Sequence, residues 1–166
     1  MAIWLAETCH ERGSELVAWN ASGEAALALP DGQLRPDAWF TLSLGDLLPG
    51  KKLTALVEVD RGTERGLTRW QEKVEGYRTL FLTAGLLEQR VGQQRARVLV
   101  TVPDVARRDR LAAQIAELSQ NPMLTSLFYL IVARALTPSA WREPLWRNAG
   151  SDALSALIPP AKETSP

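Results

Sequence analysis

A short apolar run that ends in two carboxylates and leads into a helix restricts the possible folds of this chain more than any other feature. In the stretch Lys51–Tyr77, strand-like alternation places Leu53 and Val57 on one face and Glu58 and Asp60 on the other. A carboxylate at the edge of an apolar core is unfavourable unless it is paired, hydrogen-bonded or bound to a metal ion. Two neighbouring carboxylates also repel each other, which a divalent cation or a lysine would relieve. The run therefore predicts a buried strand with a charged site at its carboxyl end.

The residues after this strand predict a tight turn and an amphipathic helix. Gly62 permits the turn, and Thr63 followed by Glu64 is typical of a helix amino terminus. Lys73 and Tyr77 are four positions apart, so they are neighbours on one helix face. Lys73 borders the apolar stripe of the helix, from where its long side chain can reach back over the strand end. The stripe consists of residues three or four positions apart, Leu67, Trp70, Val74, Tyr77, Phe81 and Ala84.

Apolar or alternating segments on both sides of this unit complete a predicted sheet. Pro30-Asp31-Gly32 and Pro49-Gly50 are strong turn signals, and the second connects a hairpin into the central strand. The order of elements predicts an α/β protein with a mixed central sheet flanked by helices. The tryptophans of Trp141–Trp146 are expected to cover the core. The predicted strands are Glu15–Asn20, Ala25–Leu29, Gln33–Leu44, Ala96–Val102 and Ser126–Ala135, and the further helices are Ala2–Arg12 and Val105–Ser119.

Length, charge and cysteine content exclude several classes of protein. With 166 residues, the chain is expected to form one domain over residues 1–160, followed by a polar, disordered tail at 161–166. Its 19 basic and 19 acidic residues argue against a large electrostatic surface for nucleic acid, although not against a local one. The single cysteine, Cys9, excludes an internal disulfide framework and indicates a reducing, cytoplasmic location. The sequence contains no signal peptide and no run of about 18 apolar residues that would span a membrane.

The acidic residues near the central strand admit a structural and a functional interpretation. The predicted hairpin brings Asp37 and Glu58 into one sheet, but the register that would join them does not follow from the sequence. Asp37 is alternatively the cap of a turn. Glu58 and Asp60 alternatively belong to a structural ion network, whose basic members would be Arg35, Arg61 or Lys73.

Two further groups of charged residues are ambiguous in the same way. Glu7 and Glu11 lie on one face of the first helix, either as a solvated edge or as additional acids of the site. Arg107, Arg108 and Arg110 lie near the start of a later helix, where they either contact phosphates or form a solvated face.

The order of these residues resembles a known superfamily of nucleases. Pro36-Asp37, then Glu58-Val59-Asp60, then a helix bearing Lys73 is similar to the restriction-endonuclease-like, or PD-(D/E)XK, superfamily. The core of that superfamily is a helix, a strand hairpin, a helix and two further strands, which is the order predicted here. More specifically, the segments LVEVDRGTE…KVEGY, RPDAWF and EPLWRNAG resemble the replication-relaxation family of plasmid and mobile-element proteins, over about Glu15–Leu157.

The resemblance implies a restriction-endonuclease-like core and a metal site. Asp37, Glu58 and the carbonyl group of Val59 would bind Mg²⁺ or Mn²⁺ through oxygen and activate water for attack on a phosphodiester.

This chain departs from the superfamily pattern at one position. A lysine normally stands two residues after the glutamate, where this sequence has Asp60. Some members carry that lysine on the following helix, so the resemblance assigns the role to Lys73. Lys73 and Tyr77 also match the spacing of a Gln-x-x-x-Tyr motif of other branches, with lysine in the glutamine position. Because relatives in the replication-relaxation family usually carry a winged-helix domain before this region, we expect a truncated or stand-alone relative.

Two functions follow from these residues and the resemblance. The leading hypothesis is a DNA endonuclease dependent on Mg²⁺ or Mn²⁺, acting in plasmid replication, mobilisation or mobile-element DNA processing. In it, Asp37 and Glu58 bind the metal, Lys73 stabilises the phosphate, and Asp60 holds a second ion or orients Lys73. The alternative is a catalytically inactive protein of the same fold that binds DNA or a replication or mobilisation protein. A small-molecule hydrolase is disfavoured, because no G-x-S-x-G motif is present and Cys9-His10 is poorly placed for a dyad.

Overall fold

The computed structural model of the chain describes residues 14–45, 48–62 and 67–158. The predicted first helix Ala2–Arg12 with Glu7 and Glu11, the helix cap at Thr63, and the tail at 161–166 lie outside these residues. Within them, no helix is long and apolar enough to cross a membrane.

Nine strands and four α-helices make up the described part of the chain. The strands are β1 (Glu15–Ala21), β2 (Leu27–Leu29), β3 (Gly32–Leu34), β4 (Ala38–Ser43), β5 (Lys52–Val59), β6 (Arg97–Val102), β7 (Phe128–Val132), β8 (Trp146–Asn148) and β9 (Leu154–Ser155). The α-helices are α1 (Leu67–Leu82), α2 (Leu86–Val91), α3 (Val105–Ser119) and α4 (Pro122–Thr125), and short 3₁₀ helices occupy Ser22–Ala25 and Ala133–Ala135.

Seven of the described strands form one mixed sheet, in the order β1-β4-β5-β6-β7-β8-β9. β4 pairs antiparallel with both β1 and β5, whereas β5, β6 and β7 are mutually parallel. β8 and β9 extend the sheet in antiparallel fashion beyond β7. The predicted mixed sheet with flanking helices and the predicted hairpin into the central strand are thereby confirmed.

Two apolar clusters cover the two faces of this sheet. Leu56 of β5, with Val98 and Val100 of β6, belongs to the cluster that contains buried apolar residues of all four described α-helices. Val57 and Leu99 have the opposite parity and belong to the second cluster, with Trp141, Trp146 and Leu157. Since Glu58 has the parity of Leu56, its side chain projects from the face of the sheet that carries α1.

A glycine lets the small hairpin of β2 and β3 pack closely on α1. Gly76 lies in the middle of α1, where a side chain is normally preferred. A Cβ atom at this position would come 3.0 Å from Cδ1 of Leu34, which is buried in the first cluster. A side chain in this turn of helix, between Lys73 and Tyr77, would therefore require Leu34 to shift.

The structure corrects the single strand predicted for Gln33–Leu44. It divides into β3, which pairs with β2, and β4, which enters the large sheet. Pro36 lies between them and has no amide hydrogen to donate to a ladder, which explains the break.

The predicted helix after the central strand is confirmed, but its last turns were predicted wrongly. α1 ends at Leu82, and Ala84 is an exposed turn residue rather than part of an apolar stripe. Gly85 adopts a positive φ of 72° before α2, a separate short helix that the sequence analysis missed.

The carboxyl-terminal strands also differ from the prediction. The strand predicted for Ser126–Ala135 is limited to β7, and the two short strands β8 and β9 were missed. The prediction that Trp141 and Trp146 cover the core is confirmed. Their rings stack with centroids 6.2 Å apart, and the indole of Trp146 donates to the carbonyl oxygen of Ala140 at 2.7 Å.

Candidate functional site

The candidate site lies at the carboxyl end of β5, beside the carboxyl end of the parallel strand β6. Glu58 pairs with Val100 and Val59 with Thr101 in this ladder. The amide of Asp60 then donates to the carbonyl oxygen of Thr101 at 2.8 Å, which extends the alignment one residue past the strand. The acidic end of β5 is therefore held in place by regular backbone pairing.

Asp37 reaches the same end of β5 from the start of β4. Its amide donates to the carbonyl oxygen of Val57 at 2.9 Å, and its carboxylate atom Oδ2 accepts from the amide of Val59 at 2.7 Å. These two bonds contact β5 on either side of Glu58 along the backbone. Asp37 itself is exposed, so it presents a carboxylate to solvent directly beside the buried one.

Glu58 is completely buried and receives two side chains from α1. The hydroxyl of Tyr77 donates to Oε1 at 2.8 Å, and the ammonium group of Lys73 contacts Oε2. Tyr77 and Lys73 are one helical turn apart, as the sequence predicts, and the Lys73 side chain is only 14% exposed. α1 therefore supplies both a neutral donor and a cation to one buried carboxylate.

The protonation of Glu58 is set by a competition between burial and these donors. Burial raises the pKa of Glu58 from 4.5 to about 7, although Lys73 and Tyr77 act to lower it and Asp37 adds a small further increase. Burial and the neighbouring Glu58 carboxylate hold the pKa of Tyr77 well above its usual value, so the phenol stays a donor. Glu58 therefore changes charge near neutral pH.

Asp60 occupies a different environment two residues further on. Its Oδ2 accepts from Arg107 of α3 at 2.6 Å and from the indole of Trp70 at 3.0 Å, and its Oδ1 accepts from the amide of Gly62 at 2.7 Å. Burial acts to raise the pKa of Asp60, but the hydrogen bonds from Arg107, Gly62 and Trp70 outweigh it and lower the pKa. Asp60 is therefore a fixed anion that joins α1, α3 and the turn after β5.

One of the two basic partners differs from those that the sequence suggested. Lys73 contacts Glu58, as predicted, but Asp60 pairs with Arg107 and not with Lys73, Arg35 or Arg61. Arg35 instead donates to Gln33 at 2.9 Å. Asp60 and Lys73 share a neighbour in Trp70, whose indole donates to Asp60 and whose ring lies 5.8 Å from the lysine nitrogen. That Asp60 orients Lys73 or holds a second ion stays a prediction.

Sequence reasoning considered Arg107 only as a phosphate contact or part of a solvated face, and missed its pairing with Asp60. Its side chain is 16% exposed and pairs with this carboxylate. A signal for this contact was present, because β6 was predicted to lie in the same sheet as β5. The helix that follows β6 begins beside the end of β5, and Asp104 caps it by accepting from the Arg107 amide at 2.7 Å.

The donors at the end of β5 are of the chemical type that Mg²⁺ and Mn²⁺ bind. The Asp37 and Glu58 carboxylates and the Val59 carbonyl group are all oxygen donors on one strand end. Within the described ranges 14–45, 48–62 and 67–158, no group of three or more acidic, histidine or cysteine side chains is arranged to hold a metal ion. The oxygen donors at this strand end are therefore two carboxylates and a backbone carbonyl group, and Glu58 offers both of its oxygens only when Lys73 withdraws from one of them.

A comparison with known protein families identifies one that matches this chain. Residues 2–96 match the family model described as replication-relaxation, which is more than half of the chain. The matched range includes Asp37, Glu58, Lys73 and Tyr77 but ends before Arg107. It begins earlier and ends earlier than the resemblance over Glu15–Leu157. No curated protein and no solved structure matches the chain. The chain therefore belongs to the replication-relaxation family.

Proposed function

We propose that this chain is a nuclease-fold domain that hydrolyses phosphodiesters of DNA with Mg²⁺ or Mn²⁺, in plasmid replication or mobilisation or in mobile-element DNA processing. The observation that carries the proposal is the meeting of Asp37, Glu58 and Lys73 at one strand end, from three separate elements. The family match supports the setting in replication.

The order and direction of the strands support a restriction-endonuclease-like core. The hairpin of β4 and β5 is followed by α1 and then by the two parallel strands β6 and β7, with α3 between them. This is the sequence of elements expected for that core. The acidic residues lie in the hairpin and the lysine on the next helix, as the proposal requires.

Asp37, Glu58 and the Val59 carbonyl would hold the metal ion. Such an ion supplies Lewis acidity at the phosphate and lowers the pKa of a bound water molecule. Glu58 must lose its proton before both of its oxygens can serve as ligands. Because burial raises its pKa to about 7, metal binding should strengthen with pH across neutrality and release a proton.

Lys73 and Tyr77 would have different roles beside the metal ion. Tyr77 is buried and fixes the orientation of the Glu58 carboxylate through Oε1. Lys73 retains partial exposure, so its ammonium group can turn from Glu58 toward a phosphate oxygen while its stem stays packed. Asp60 and Arg107 would hold the turn and α3 beside this group without touching the substrate.

A second candidate function is a catalytically inactive DNA- or protein-binding factor of the same fold. Two observations favour it. Both buried carboxylates at the strand end already have a cationic partner, Lys73 for Glu58 and Arg107 for Asp60. The position two residues after Glu58 also carries an acid in place of the superfamily lysine.

Cleavage assays with matched variants test the leading proposal. The purified protein is incubated with Mg²⁺ or Mn²⁺ and supercoiled, linear or single-stranded DNA. We expect cleavage that falls by about 10²–10³-fold in an Asp37→Asn, Glu58→Gln double variant. The control is Asp31→Asn, which changes an exposed acid in the turn between β2 and β3 and should cleave like the wild type.

Calorimetry with Mn²⁺ separates the two candidates. Equal cleavage by wild type and double variant would contradict the nuclease proposal. Absence of Mn²⁺ binding at pH 8, together with intact DNA or protein binding, would establish the inactive alternative. Mn²⁺ binding that the double variant abolishes, with proton release measured in two buffers, would support the metal site whatever the DNA substrate.

A further inference from the structure

A concave region lies at the opposite end of β5 from the carboxylates. It is an open groove of about 690 Å³ between the starts of β5 and β6 and the loop that joins α1 to α2. Its volume is in the range of ligand-binding clefts. None of the residues Asp37, Glu58, Asp60 or Lys73 lines it, so it is separate from the candidate site.

The floor of the groove is apolar and the rim contains an exposed methionine. Met123 at the rim is 56% exposed, and methionine adapts its shape to apolar partners. Phe81 and Leu127 are half-buried beside it. The buried apolar residues of the lining are Leu44, Leu53, Leu87, Ala96, Leu157 and Ile158.

The charged residues of the rim are predominantly basic. Lys51, Lys52 and Arg95 are exposed, and none of them forms an ion pair with another described residue. Arg97 is held in place by the carbonyl oxygen of Leu157 and the ring of Tyr129, and the carboxylate of Glu88 accepts from Gln94. Because the whole chain carries no formal net charge, this positive excess is local.

We propose that the groove binds an acidic amphipathic segment of a partner protein. Apolar side chains of that segment would enter the floor, and its carboxylates would face Lys51, Lys52 and Arg95. The open form of the groove and its construction from several chain segments suit a peptide better than an enclosed small molecule. The proposal is independent of nuclease activity.

The test uses a synthetic peptide of defined chemistry. A fluorescein-labelled helical peptide of about 15 residues carries leucine and phenylalanine at positions i, i+3, i+4 and i+7, with glutamate elsewhere. A control peptide keeps the apolar positions and replaces every glutamate with lysine. In fluorescence anisotropy, we expect saturable binding of the acidic peptide, weakened by salt, and at least about tenfold weaker binding of the basic one.

Charge-reversal variants locate the binding surface. The double variant Lys51→Glu with Arg95→Glu should bind the acidic peptide about tenfold or more weakly than the wild type. The matched control, Arg110→Glu with Arg134→Glu, makes the same charge change at exposed residues outside the groove and should bind like the wild type. Met123→Asp should also weaken binding, because it replaces an apolar contact at the rim with a negative charge. Circular dichroism verifies that each variant is folded.

Three outcomes would overturn the proposal. One is absence of saturable peptide binding by the folded wild type. Another is equal weakening by the two double variants, which would indicate non-specific charge attraction. The third is that the groove binds a membrane surface or a second copy of this chain, and not the peptide. The readouts are binding to anionic phosphatidylglycerol vesicles and self-association, each abolished in the double variant Lys51→Glu with Arg95→Glu.

Discussion

Glu58 and Asp60 are two residues apart on the same strand end, yet the protein shifts their pKa values in opposite directions. Glu58 is fully buried with one phenol and one ammonium donor, and its pKa rises to about 7. Asp60 receives a guanidinium group, an indole and a backbone amide, and its pKa falls. Glu58 is buried more deeply than Asp60 and has fewer donors, and both differences favour its neutral form. The charge of each carboxylate therefore depends on its depth of burial together with the donors that face it.

The two carboxylates therefore suit different tasks. Asp60 stays ionised and ties α1, α3 and the turn together, as a structural ion pair does. Glu58 is held close to its protonation midpoint and can exchange a proton for another cation. A group poised in this way is typical of a functional site. Variants of these acids and of their partners test this division of tasks.

Replacement of Lys73 or Arg107 by methionine should distinguish the roles of these two cations most clearly. If the proposed function holds, Lys73→Met should lower DNA cleavage by about 10²–10³-fold, because the phosphate loses its cation. Arg107→Met should lower it by less than about tenfold at a temperature where the variant remains folded. Initial cleavage rates with Mn²⁺ measure both. A larger loss in Arg107→Met than in Lys73→Met would reverse the assignment.

The stability of the protein should depend on pH through Glu58. Since the pKa of Glu58 is raised on folding, its contribution to stability is fully present below pH 4.5 and is lost as pH rises toward 7. The shift corresponds to about 3 kcal/mol in the free energy of unfolding. Glu58→Gln mimics the protonated acid, so its stability should not fall in this way as pH rises. Urea denaturation of both proteins at pH 5 and pH 8 should show a difference that grows with pH; equal pH profiles would disprove the raised pKa.

Removal of Arg107 should destabilise the protein by about 2 kcal/mol at pH 7, because Asp60 loses its charge partner but keeps two other donors. The pKa of Asp60 is lowered on folding, so the stability it supplies is present above pH 3.8 and is lost as pH falls. Arg107→Met should therefore lose less stability on acidification than the wild type. Thermal denaturation at pH 7 and pH 3 measures both effects, with exposed Arg110→Met as the control.

Tyr77→Phe should have the smallest effect and act on Glu58 alone. Loss of the hydroxyl removes one donor from Oε1, so the pKa of Glu58 should rise further above about 7. The expected cost in stability is about 1 kcal/mol at pH 5. A carbon-detected NMR titration of the glutamate carboxyl groups follows this pKa directly. A lowered pKa would show that Tyr77 does not donate to Glu58.

Local patterns predicted much of this site. Strand alternation placed Glu58 and Asp60 on one side of β5, and helical spacing placed Lys73 and Tyr77 as neighbours. Both patterns depend on residues close in sequence, where backbone geometry fixes the direction of each side chain. The division of Gln33–Leu44 into two strands was missed although Pro36 marked it, because the alternation continued across the proline.

Local sequence patterns were enough to predict the central strand, the helix beside it, and the acids and lysine that these elements carry. Which cation meets which carboxylate depends on the folded chain, because Arg107 and Asp60 are 47 positions apart in sequence. Contacts of that separation depend on strand order and on how β5 and β6 align. The same long-range packing sets the pKa of each acid, because a carboxylate becomes buried and acquires its donors only once the sheet and helices have packed.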